Sequence, residues 1–171
     1  MAGGRDGAVE RRVKRALEQL HDAGAQIIEG VERCLPRWTE ERVARVLDDW
    51  GRADNETRTR ALAEAHDAGA AITAEIVDAL RALLATDPGA QRATPLEIVR
   101  RAVIAPTRVL QAAGVPEVLR DPFDERSFPD DLYDLTPRTL GDLGDDRLAA
   151  LHFVWGMAKA KLLRSRAERS E

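Results

Sequence analysis

Ala16-Leu-Glu-Gln-Leu-His-Asp-Ala-Gly-Ala25 returns 45 residues later as Ala61-Leu-Ala-Glu-Ala-His-Asp-Ala-Gly-Ala70, with the pentad His-Asp-Ala-Gly-Ala identical in both copies. Around each copy the apolar residues advance in steps of three and four: Val13, Leu17, Leu20, Gly24, Ile27 and Val31 in the first, Leu62, Ala65, Gly69, Ile72, Ile76 and Leu80 in the second. That spacing lays one stripe along an α-helix. Both pentads therefore lie on helices, and the offset puts Ile27 on Ile72 and Val31 on Ile76. A weaker echo follows at Leu110-Gln-Ala-Ala-Gly114. A glycine on a buried stripe costs up to about 1 kcal/mol of helix stability against alanine. Gly24 and Gly69, each flanked by alanines, are thus expected where two helix backbones approach closely. That packing role accounts for the pentads without assigning chemistry to His21 and His66.

Working outward, breakers divide the chain. Pro36 is expected to close the first helix near Cys34, because the residue before a proline is pushed out of the helical region. Thr39 then caps a short second helix that ends at Gly51. A third helix spans about 55 to 85 and stops at Thr86-Asp87-Pro88-Gly89. The fourth starts at Thr94-Pro95 and either bends at Pro106 or divides at Ile104-Ala105, ending at Gly114-Val115-Pro116. Residues 120 to 138 have no helical period and hold three prolines, with Phe123, Phe128 and Tyr133 among six acidic residues. This stretch reads as a long loop packed on the body. A last helix begins near Asp145, carries Leu148, Leu151, Trp155, Ala158 and Leu162, and fades in an arginine-rich tail. No alternating, β-branched stretch of strand length appears. The expected fold is all-α, a helical bundle of about five helices in one domain over 1–171, with flexible ends at about 1–7 and 165–171.

Composition narrows the function classes. The 171 residues carry 26 Lys and Arg against 30 Asp and Glu, a net charge of -4, which is no electrostatic footprint for coating a polyanion. Cys34 is the single cysteine, so an internal disulfide is impossible and the paired-cysteine spacing of structural zinc sites is absent. It reads as a small apolar residue on the first helix. No apolar run reaches the roughly 18 residues of a membrane span, and the N-terminal residues lack a signal peptide's apolar stretch, so a cytoplasmic protein is expected.

Catalytic signatures are missing: there is no phosphate-binding glycine loop, nucleophile elbow or His-Glu-x-x-His. Glu18 and His21 have the Glu-x-x-His spacing of di-iron bundles, but the second copy has Ala63 where the glutamate would be. The loop carboxylates lack the register of a calcium loop. Neither a cofactor nor a metal is expected. Phe123, Phe128, Tyr133 and Trp155 suit anchoring a protein partner, and Asp130 and Asp131 suit steering it. The leading expectation is a non-enzymatic adaptor or regulator that docks a protein through loop 121–135 and the last helix, with a homodimer left open. The alternative is nucleic-acid association through the basic segments 11–15 and 159–169, and a metal- or His-dependent enzyme ranks third.

Residues Arg92 to Pro116, then Arg120-Asp-Pro-Phe-Asp-Glu, Phe128-Pro-Asp-Asp-Leu-Tyr-Asp-Leu-Thr-Pro and Trp155-Gly-Met-Ala-Lys-Ala resemble a group of uncharacterised small helical proteins of high-GC Gram-positive bacteria. The resemblance covers roughly the C-terminal half and implies a bacterial, cytosolic setting; no functional residues carry over with it.

Overall fold

A computed structural model describes residues 3–116 and 135–170, with side chains from residue 7. The described residues are helical and contain no strand. Helix α1 runs Gly3–Trp50, α2 Asn55–Ala85, α3 Pro95–Arg100, α4 Ile104–Ala112 and α5 Asp146–Ser170. A 3₁₀ turn, Arg101–Val103, joins α3 to α4 into one interrupted rod, and a second, Leu140–Leu143, precedes α5. The described residues thus form four rods where the sequence suggested five.

The difference lies at Pro36, which does not end a helix but sits inside the 48-residue α1. An interior proline costs about 3 kcal/mol. Around it, Leu35 and Trp38 are buried in the main core, and each large apolar side chain so placed contributes roughly 1.5–3 kcal/mol. Burial on this scale outweighs the lost hydrogen bond. Thr39 is accordingly no cap: it is fully buried, and its hydroxyl donates to the Leu35 carbonyl at 3.1 Å. At about 1.5 Å per residue, α1 is some 72 Å long and forms the spine of the molecule.

The other boundaries follow local chemistry. Gly51, with φ of 64°, turns the chain out of α1. Asp54 caps α2 by accepting the Thr57 N–H at 2.7 Å. Thr94 and Glu97 close a reciprocal capping box on α3, with Pro95 at its first turn. The rod divides where Ile104 begins α4, and Pro106 lies in that helix's first turn, where its missing N–H matters little.

Helices α2 and α5 both lie antiparallel to α1. Gly24 faces Leu84, Gly69 faces Pro36 and Arg58 pairs with Asp48 on one side; Gly30 faces Leu148, Arg33 bonds Asp145 at 2.7 Å and Arg12 bonds Glu168 at 2.6 Å on the other. The main core is built from Leu20, Ile27, Val31 and Leu35 of α1, Ile76 and Leu80 of α2, Val99, Leu140, and Leu148, Trp155 and Leu162 of α5. A second cluster joins Val43, Val46 and Leu47 to Ala61, Ala65, Val109, Leu110, Val115 and Leu135. Instead of fading, α5 stays helical to Ser170, tied by Arg12 to Glu168 and by Arg166 to Asp87 at 2.8 Å.

Candidate docking surface

Helix α5 presents two opposed faces. Leu148, Trp155, Ala158, Leu162 and Ser165 are buried. The opposite side carries Ala149, Phe153, Gly156, Ala160, Leu163 and Ala167, all exposed and spaced by alternating steps of four and three, a seam of the coiled-coil kind. Phe153 is 68% exposed, Met157 44% and Leu163 37%, and Val154, toward α1, is 45% exposed. These four are the large exposed hydrophobics among the described residues. Single exposed apolar residues are ordinary; several large ones gathered on one helix make this face a candidate interaction surface. Beside the ridge, a groove of about 390 Å³ opens between α1 and α5, lined by Gln26, Gly30, Arg33, Leu148, Leu151 and Val154, among others.

The seam follows from a local sequence choice. One arc of α5 is given leucines and a tryptophan, and the opposite arc alanine, glycine and the bulky Phe153. Asp145, just before the helix, accepts the Arg147 N–H at 3.0 Å and so anchors the first turn. The Arg147 guanidinium and N–H, with Arg33 behind them, hold the Asp145 carboxyl at a pKa of about 2. A second opening of about 440 Å³ lies next to it, with Arg33, Cys34, Arg37, Glu41, Gly144 and Arg147 on its walls. Its guanidiniums are already satisfied: Arg33 and Arg147 by Asp145, Arg37 by Glu41 at 2.6 Å.

Of the residues that sequence reasoning selected, Phe123, Phe128, Asp130, Asp131 and Tyr133 lie outside the described residues. Trp155 is placed on the inner face, 2% exposed, with His152 stacked on it at 6.2 Å and the Lys159 ammonium 5.1 Å from its ring. It packs the core, and the exposed ring of the same helix is Phe153, two residues earlier. Sequence reasoning missed Phe153 and Met157 because it followed the buried stripe; the signal was the second stripe, through 149, 153, 156, 160 and 163, half a turn away.

The histidines do not meet. Antiparallel packing sets His66 beside Glu40, with Nδ1 2.7 Å from the carboxylate, and that hydrogen bond raises the imidazole pKa. Glu40 and His21 stand 19 positions apart on α1, roughly 28 Å along the helix. Burial lowers the pKa of His152 and favours its neutral form. Among the described residues no three His, Cys, Asp or Glu side chains gather as a metal site would require, and no helix is long and apolar enough to cross a membrane. In the basic segments, Arg12 and Arg166 are tied into ion pairs with Glu168 and Asp87.

No family model, curated protein or solved structure matches this chain, so the surface's own geometry carries the functional argument.

Proposed function

We propose that this chain is a helical adaptor or regulator that docks a protein through the outer face of α5. The observation that supports this most is the exposed ridge of Phe153, Met157 and Leu163, flanked by Val154, on a helix whose opposite arc already completes the core. Folding gains nothing from leaving an aromatic ring 68% exposed. Binding does, because aromatic and methionine side chains are enriched at the buried core of protein interfaces. The basic segments favour nucleic acid less: Arg12 and Arg166 neutralise carboxylates of this chain, and Lys159 covers the Trp155 ring.

The test places a photo-crosslinking phenylalanine analogue at 153, and separately at the exposed Glu75 of α2, and irradiates cells expressing the chain. The expected result is a discrete protein adduct from position 153 that is absent from position 75 and lost when Met157→Glu is added. Equal labelling from both positions would overturn the assignment.

A further inference from the structure

We infer that the occupant of the α5 face is a second copy of this chain, its α5 packed antiparallel to the first; this rests on the docking role proposed above. The charge order of the helix supports it first. Asp146 begins α5 and Arg164 lies 18 residues on, five full turns, so both flank the seam on the same side. Each is exposed and neither has an ion-pair partner among the described residues, whereas Arg147 and Glu168 at the same two ends are paired internally with Asp145 and Arg12. A two-fold axis near Gly156 brings Asp146 of one copy to the end that bears the partner's Arg164, and does so twice. A parallel two-fold would leave each charge level with its own copy on opposite flanks of the seam and form neither pair.

Shape gives the second support. In a two-fold interface one patch must be complementary to itself. This face has a projection, Phe153, and a hollow between Gly156 and the small Ala160, one to two turns away. Antiparallel pairing about Gly156 sets each Phe153 over the partner's hollow. Nothing among the described residues calls for the hollow. A β-carbon on Gly24, Gly30 or Gly69 would meet neighbouring atoms of the fold, so those glycines are explained by packing within the chain. Among the described residues, a β-carbon on Gly156 would meet nothing within 4 Å. A mid-helix glycine that none of the described residues requires is explained by a helix approaching from outside.

The experiment is sedimentation of the full chain, from micromolar concentration to about 500 μM, since a single helix face lies at the small end of specific interfaces and suits micromolar association. The wild type is expected to show a reversible monomer–dimer equilibrium. Gly156→Leu should abolish it while the monomer unfolds at the same denaturant concentration or higher. Asp146→Lys and Arg164→Asp should each weaken association about tenfold or more, and the double variant should restore it to within about threefold of wild type. A wild type that stays monomeric throughout overturns self-association, as does a dimer indifferent to Gly156→Leu or a double variant weaker than both singles. The docking reading fails separately: a monomeric chain that still forms a discrete adduct with another protein from position 153 rejects only the second copy, whereas no discrete adduct rejects both.

Discussion

Gly69 of α2 lies against the backbone of Pro36 in α1: a β-carbon at 69 would stand 3.0 Å from the Pro36 carbonyl oxygen and 3.2 Å from the Thr39 β-carbon. The residue that looked like a helix terminator is the floor of the closest helix crossing in which the pentads take part. At Gly24 the corresponding obstacle is the side chain of Leu84, 2.8 Å away. Backbone cannot move aside as a leucine can. Gly69→Ala should therefore cost about 1–3 kcal/mol despite alanine's better helix propensity. Gly24→Ala should cost less, because Leu84 is half-buried and its δ-carbons can rotate. Urea midpoints of the two variants decide this; equal loss would mean the crossing is no tighter at Gly69.

Asp145 links α1 to the start of α5. Bonded first to Arg147 and then to Arg33, its carboxyl titrates at about 2 in the fold against 3.8 unfolded. A depressed acid pKa contributes stability that is fully present above the unfolded value and disappears as pH falls through the folded one. Stability should drop between about pH 4 and pH 2, and Asp145→Asn should flatten that part of the profile. Denaturant titrations across the acid range provide the check, with an unchanged slope in the variant as the contrary result.

His66 behaves in the opposite sense. Its hydrogen bond to Glu40 raises the imidazole pKa above 6.5, so its contribution is complete below that value and is lost as pH rises through the folded pKa. His66→Gln should remove this loss of stability above about pH 6.5 while leaving the fold intact, since the pair lies on the surface. An NMR titration of the His66 ring with a midpoint at or below 6.5 would contradict the assignment.

Gly156 provides a contrast within one chain. In dilute, monomeric protein Gly156→Ala should raise stability by up to about 1 kcal/mol, because alanine is the better helix former and the space around the site is open. Thermal melts at micromolar concentration measure it. A destabilised variant would mean that Gly156 serves the fold itself.

Much of the fold was legible. The three- and four-residue steps located α1, α2 and α5, the turn at Thr86 to Gly89 was read correctly, and the division near Ile104 was one of two alternatives for the fourth rod. Pro36 misled because a local rule was applied without its tertiary counterweight: Leu35, Trp38 and Thr39 are buried around it, and no local window shows that. The close backbone approach expected of the pentad glycines is found at Gly69, which meets Pro36, and not at Gly24, which meets the Leu84 side chain; antiparallel packing so separates His21 from His66. The proposed docking surface was half legible. The last helix was chosen, but through Trp155, whose ring faces inward; an aromatic residue's identity does not say which arc of a helix meets the core, and Leu148, Trp155 and Leu162 together do.

The most direct test of the central claim is Phe153→Glu, with unfolding free energy and protein association measured on the same preparation. The account predicts stability within about 0.5 kcal/mol of wild type, as for surface substitutions that remove no packing, together with loss of the protein complex. A fall of 2 kcal/mol or so, the scale of a buried aromatic side chain, would show that Phe153 belongs to the core and that the outer face of α5 is no docking surface.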